Sequence, residues 1–267
     1  MILATTINAA ASTEAGLTVG LVYWAWFIGA VLVFLALDLG VFHRTPHAVG
    51  FGEALMWTTI WFSMSMAFAF WIAPAMVGEQ WTSTHTKLFI TGYVVELSLS
   101  MDNVFVIALI FSFFRVPAEF QHRVLFWGIL GALVMRAAMI LLGASLIQQF
   151  GWILYLFGAF LLITGIKMLF AGDEEVEPEK NIAIRLARRF YPVSTQFDGQ
   201  KFFTELDGRR ALTPLALCLI MVETTDLIFA VDSIPAIFGI TQEAFIVFTS
   251  NVFAILGLRS LYFVLVG

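Results

Sequence analysis

The chain has 267 residues, of which 60% are hydrophobic and only 12% charged, and its mean hydropathy is +0.92. A soluble domain carries roughly 45 to 50% apolar and about 25% charged residues, so this composition excludes a water-soluble enzyme, a secreted disulfide scaffold and a disordered chain. The formal charge of −5 excludes a strongly basic nucleic-acid binder, and the single cysteine, Cys218, cannot form an internal disulfide.

A bilayer core of about 30 Å takes roughly 20 helical residues. Apolar runs of that length fall near 20–42, 54–77, 88–113, 124–147, 150–170, 212–238 and 243–267, the second and seventh interrupted by Thr, Ser and Asn. They predict an all-α fold, a polytopic transmembrane helix bundle of about seven spans forming a single domain over 1–267. The first residues, MILATTINAAASTEAG, hold no Lys or Arg, so an uncleaved tail is expected rather than a signal peptide.

Lys and Arg in short flanks stay on the cytoplasmic side. With the N-terminus outside, Arg44, Arg115, Arg123, Lys167, Lys180, Arg185, Arg188, Arg189, Lys201, Arg209 and Arg210 all fall inside and only Lys87 outside. Arg136 and Arg259 lie within spans and need another explanation. Between the fifth and sixth runs, the polar segment 171–211 opens with the acidic DEEVEPE and continues as NIAIRLARRFYP. There Ile182, Ile184, Leu186, Ala187 and Phe190 can share a face opposite arginines, a pattern that predicts an interfacial helix. Two Asp-Gly pairs beside alternating apolar residues then predict a small hairpin.

Six carboxylates sit inside the predicted spans: Asp38, Glu96, Asp102, Glu223, Asp226 and Asp232. An ionised acid at a helix centre costs about 2.5 to 3.5 kcal/mol on insertion scales, so such groups face a protein interior or water and mark function. The third run reads VVELSLSMDNVFVIALIF and the sixth MVETTDLIFAVDSIPAIF; the six-residue step from Glu96 to Asp102 recurs from Asp226 to Asp232, with Asn103 and Ser233 following. The next runs match as well, Gly128 to Arg136 paralleling Asn251 to Arg259. Because the assigned orientation runs the third span inward and the sixth outward, the repeats are inverted in topology, as in transporters with midplane sites.

At about 100° per residue, Asp102 lies about 120° from Glu96, whereas Ser100 and Asn103 lie near its stripe. Pro235 deprives the Val231 carbonyl of its helical donor, so a local break is expected there. Carboxylate, amide and hydroxyl oxygens without an intramembrane histidine suit a hard divalent ion such as Mg, Ca or Mn. The expected metal-binding set is Glu96, Asp102, Asn103, Glu223, Asp226 and Asp232, supported along the pathway by Asp38, Ser100, Arg136, Ser233, Asn251 and Arg259. Asp38, near a span end beside His43 and Arg44, can also snorkel to the interface. Alternatively, the acids simply pair with Arg136 and Arg259 to join helices. His43, His47, His85 and His122 fall at span ends or loops and are assigned no metal, and Met101 and Met221 are read as packing.

The segments ELSLSMDNVFV, ETTDLIFAVDSIPA and SNVFAILGLRSLYF, with DLGVFHR at the end of the first run, resemble the TerC/Alx family of bacterial integral membrane proteins. That family is named for tellurium resistance and associated with manganese export. The resemblance implies Mn(II) efflux from the cytoplasm across the inner membrane, with Glu96, Asp102, Glu223, Asp226 and Asp232 as the ion path. It also implies further hydrophobic helices after the LRSLYF stretch, among them a counterpart of the fifth run. The expected mechanism is alternating access around a midplane site, with protons taken up by the same carboxylates, and no enzymatic activity or bound cofactor. Two other classes remain: a non-transporting scaffold of a membrane stress complex, and an intramembrane aspartyl protease using Asp102 and Asp232 as a dyad.

Overall fold

A computed structural model describes residues 17, 19–37, 50–170, 181–206 and 208–266. Asp38, His43, Arg44, His47 and the acidic run 173–179 lie outside the described residues. Every predicted apolar run contains a helix: α1 (Leu21–Leu37), α2 (Phe51–Ala67), α3 (Ser83–Phe113), α4 (Ala118–Gln149), α5 (Ile153–Phe170), α7 (Pro214–Phe238) and α8 (Ala244–Val266). Between α5 and α7 come the short helix α6 (Ile182–Phe190) and two strands, β1 (Phe203–Leu206) and β2 (Arg209–Leu212). Among the described residues, five helices are long and apolar enough to cross a membrane: the continuous stretch Phe51–Gln80, α3, α4, α7 and Ala244–Leu265. The first and fifth runs form shorter apolar helices.

Helices α3 and α4 start five and six residues before their apolar runs. Hydropathy detects only the part of a helix that meets lipid, whereas capping extends it: Thr82 and His85 form a reciprocal capping box at the start of α3, the Thr82 N–H donating to His85 Nδ1 at 3.0 Å. The polar residues of the second and seventh runs do not interrupt their helices either. Thr58, Thr59 and Thr249 donate to carbonyls four residues back at 2.9, 2.8 and 2.7 Å, so their hydroxyls reach the bilayer already satisfied.

The sequence placed one irregularity, at Pro235, and the structure has it elsewhere. Helix α7 continues through Pro235 to Phe238 instead of breaking; the proline sits in the last turn, where only one helical bond is lost. The irregularity lies instead in the second span, where a π-helical turn (Phe68–Ile72) joins α2 to Ala73–Val77. Pro74 cannot donate to the carbonyl of Phe70, and the wider turn, closed by the Ala73 N–H on the Phe68 carbonyl, absorbs the mismatch.

Helix α8 is the axis of the bundle, enclosed over most of its length and packed against α2, α3 and α4. An aromatic seam ties α1, α2 and α3 to it: Phe68 contacts Phe27, Phe89 and Phe253 with ring centroids 5.4, 5.3 and 5.2 Å apart. Phe89–Phe253 and Phe111–Tyr262 contacts at 6.0 and 5.5 Å show that α3 and α8 run in the same direction. Helices α4 and α7 also run together. Gly128 meets Val222, and Gly143 meets Phe238, whose ring would stand 2.8 Å from a Cβ at that glycine.

The buried apolar residues form two clusters. Along α3, Phe89 and Tyr93 belong to the first, and Val104, Ile107 and Ile110 to the second; along α7 the order reverses, Leu215 to Val222 belonging to the second and Ala230 to Phe238 to the first. Helices α3 and α7 therefore run antiparallel, and on both the polar residues fall between the clusters, near mid-helix. Between α6 and α7 the predicted hairpin forms, with Phe203 opposite Leu212 and Gly208 at φ +73° in the turn. Lys201 and Thr204 donate to Asp198 and hold its carboxyl below the usual carboxylate range.

Gly143→Ala forces a methyl group against the buried Phe238 ring, and overpacking of this kind costs about 1 to 3 kcal/mol. Gly158→Ala on α5 meets nothing within 4 Å and gains helix propensity instead. Thermal unfolding in detergent is expected to show a lower midpoint for the first variant and an unchanged or higher one for the second.

Candidate functional site

The geometry of α3 decides which of its polar residues meet the protein interior. Its buried stripe includes Phe89, Tyr93, Glu96, Ser100, Asn103, Val104 and Ile107, recurring at three- and four-residue intervals. Asp102, off this stripe, is exposed. On α7 the same rule buries Ser233 and leaves Asp232 only half-buried. The residue that faces inward on each helix is thus the one after the second acid. Glu96 to Asn103 and Asp226 to Ser233 are both seven-residue steps, about 20° from two full turns.

Glu96, Asp226 and Ser233 converge on Arg136 of α4, whose side chain is 1% exposed. Its Nη1 donates to Glu96 Oε1 of α3, to Ser233 Oγ of α7 at 3.5 Å and to Asn251 Oδ1 of α8 at 3.3 Å. Its Nη2 and Nε donate to the two carboxylate oxygens of Asp226 at 3.0 and 3.4 Å, a bidentate arrangement that suits the planar guanidinium. Ser100 Oγ donates to Glu96 Oε1 at 3.5 Å. One side chain therefore links four helices. Glu223, one turn before Asp226, lies against Gly131 of α4, where any Cβ would overlap its carboxylate. Arg259 is also buried and, with Asp226, lines a cavity of about 30 Å³, room for about one water.

The arrangement has more negative than positive charge. Three carboxylates, Glu96, Asp226 and Glu223, face two guanidinium groups, Arg136 and Arg259. Three buried polar atoms in this layer make no hydrogen bond among the described residues: Glu96 Oε2, Asn103 Oδ1 and Asn251 Nδ2. Two of the three are oxygens, the donor type that hard cations take.

The sequence-predicted residues are thus divided. Glu96, Ser100, Asn103, Arg136, Asp226, Ser233 and Asn251 share the buried layer, with Glu223 beside it. Asp102 and Asp232 take no part in the node's hydrogen bonds, and Asp38 is outside the described residues. Among the described residues, no three His, Cys, Asp or Glu side chains stand close enough to hold a metal ion together, because Arg136 occupies the space between Glu96 and Asp226. The part missed by the sequence is Gly131. Its signal was the small-residue spacing of Gly128, Gly131 and Ala132, which lets α7 approach.

Arg136→Leu leaves the buried Glu96 and the half-buried Asp226 without their cation, and removing one member of a buried ion network costs about 3 to 5 kcal/mol. Detergent-solubilised protein is expected to lose its monodisperse elution and unfold at a lower temperature. Combining Arg136→Leu with Glu96→Gln and Asp226→Asn removes the uncompensated charge and is expected to restore much of the loss.

Residues 81–267, from just before α3 through α8, match the integral membrane protein TerC family. An uncharacterized membrane protein of Myxococcus xanthus is 51% identical over 247 residues, spanning 91% of this chain and 75% of that protein. Alx of Escherichia coli strain K12, whose name proposes a membrane-bound redox modulator, is 46% identical over 248 residues, 91% of this chain and 77% of its own length. A membrane protein of Rickettsia bellii is 39% identical over 242 residues. No solved structure matches the chain. The family match contains all four helices joined at Arg136, and on this match and these identities the chain belongs to the TerC family of integral membrane proteins.

Proposed function

We propose that this protein exports a hard divalent cation, Mn(II), from the cytoplasm across the bacterial inner membrane, with its N-terminus outside. The observation that carries the proposal is a mid-membrane layer with an excess of carboxylates and two buried oxygens, Glu96 Oε2 and Asn103 Oδ1, that find no hydrogen-bond partner among the described residues. An excess of negative charge in this solvent is costly and is relieved by a cation. Oxygen donors select Mg, Ca or Mn over softer ions. Manganese among these follows from the family resemblance.

Arg136 acts in this mechanism as a tethered counter-ion. It neutralises Glu96 and Asp226 while no metal is bound, and the arriving ion takes over that charge as the guanidinium withdraws. Glu223, the carboxylate without a share of the guanidinium, carries the proton of the exchange. The two remaining acids sit at opposite ends of the layer. Each follows Glu96 or Asp226 by six residues, about 9 Å, along its helix, and α3 and α7 are antiparallel, so Asp102 stands at the cytoplasmic end, beside Asn103, and Asp232 at the external end, beside Ser233. They serve as entry and exit steps of one path. This disposition, and the shared direction of α3 with α8 and of α4 with α7, is what two inverted repeats around a midplane site would produce.

A protease dyad would need Asp102 and Asp232 on the same side of the layer. Thiol redox chemistry, which the Alx names bring to mind, would need an accessible cysteine, whereas Cys218 is buried. A scaffold function would leave the carboxylate excess without a role.

Mn(II) flux in proteoliposomes tests the proposal. Folded Glu96→Gln and Asp226→Asn variants are expected to lose flux by roughly 10- to 100-fold, the range associated with groups that hold a metal site in order. Asp102→Asn is expected to raise the half-saturating Mn(II) concentration on the cytoplasmic face, and Asp232→Asn on the external face. Undiminished flux in all four variants would overturn the exporter proposal, and flux indifferent to an imposed pH gradient would remove the proton coupling alone.

A further inference from the structure

The segment between α5 and α7 has a surface that the transport path does not use. Helix α6 has three faces. Ile184, fully buried, and the half-buried Ala183 and Ala187 turn toward the bundle, where α6 packs on α7. Ile182, Leu186 and Phe190, each four residues apart, form a second stripe that is 72%, 54% and 70% exposed. Arg185, Arg188 and Arg189, all exposed, form the third. The start of the helix is fixed: Asn181 caps it by accepting from the Ala183 and Ile184 N–H groups at 2.9 and 3.1 Å, and its Nδ2 donates to Met221 Sδ at 3.3 Å. Met221 lies two turns inside α7, so the anchored end of α6 sits at the level where that transmembrane helix enters the apolar core.

The hairpin continues the same chemistry. Tyr191 and Phe203 are both exposed and their rings lie 6.2 Å apart, while the Arg210 guanidinium stands 4.4 Å over the Phe203 ring. Arg209 beside it is exposed as well. An apolar stripe bordered by arginines, held at the end of a membrane-spanning helix, matches a bilayer surface: acyl chains beneath the stripe and anionic headgroups beside the guanidinium groups.

We propose that α6 and the hairpin form a docking surface for acidic phospholipids, which holds the start of α7 in register with the membrane. Helix α7 carries Glu223 and Asp226, so the same contact couples lipid composition to the position of the charged layer. The occupant is a phosphate-bearing lipid surface rather than a protein, because the stripe is flanked on one side by the protein's own span and on the other by arginines that pair with phosphate bidentately.

The buried Cys218 leaves an introduced surface cysteine free for selective labelling. Full-chain protein carrying Leu186→Cys or Phe190→Cys, labelled with an environment-sensitive fluorophore, is reconstituted in vesicles of phosphatidylcholine alone or with an equal share of phosphatidylglycerol, each containing acyl-brominated lipid. Quenching is expected at both positions, stronger in the acidic vesicles, with the difference between vesicles lost when Arg185, Arg188 and Arg189 are changed to Gln. Equal quenching in the two compositions, or a water-like emission unquenched in both, would overturn the proposal. Inorganic phosphate added to the acidic vesicles separates headgroup binding from a free-phosphate site: displacement of the label by millimolar phosphate would also overturn it.

Discussion

A guanidinium buried inside a membrane protein must find all its partners within the protein, and Arg136 finds them on α3, α7 and α8. Charge in this solvent is tolerated only when paired and hydrogen-bonded. The rest of the bundle follows from that constraint. Glu96 and Asp226 must come within reach from either side, which fixes the rotation of α3 and α7 about their axes. Asn251 must reach the same group, which fixes α8. Lipid supplies no hydrophobic force between helices, so close packing brings them together and the node determines how they are placed.

The node divides the interior into two apolar clusters with a polar layer between them. The first cluster is sealed by phenylalanine rings from α1, α2, α3 and α8, and the second by aliphatic residues from α3, α4 and α7 together with the Phe111–Tyr262 contact. Small residues on α4 bring α7 so close that Glu223 lies on Gly131. A carboxylate next to backbone, two more on one guanidinium, and two oxygens without partners among the described residues make a layer whose charge balance a bound cation would complete. Its negative excess connects the fold to the proposed transport.

The helices were legible because apolar runs of about 20 residues suit the bilayer core, and the antiparallel hairpin because a glycine meets the demand of a turn for positive φ at Gly208. The carboxylates were legible because they sit in the wrong solvent. Their grouping was not. The repeated six-residue step drew attention to Asp102 and Asp232, yet a helix aligns residues seven apart, so Asn103 and Ser233 face the layer and the aspartates turn aside. Pro235 and Pro74 look alike in sequence. What separates them is the backbone around them: α7 continues as α-helix through Pro235, whereas Pro74 follows a π turn that takes up its missing bond. Arg136 was recognisable as a possible partner for the acids, but that one guanidinium would gather two of them from different helices depends on helix packing that no local pattern records.

Direct binding of Mn(II) to the purified protein tests the central claim most directly, with the free aquo-ion followed by its electron paramagnetic resonance signal. The native protein is expected to deplete that signal, and a folded Glu96→Gln, Asp226→Asn double variant to leave it intact. Equal depletion by both would place the ion elsewhere and reduce the Arg136 node to a structural joint.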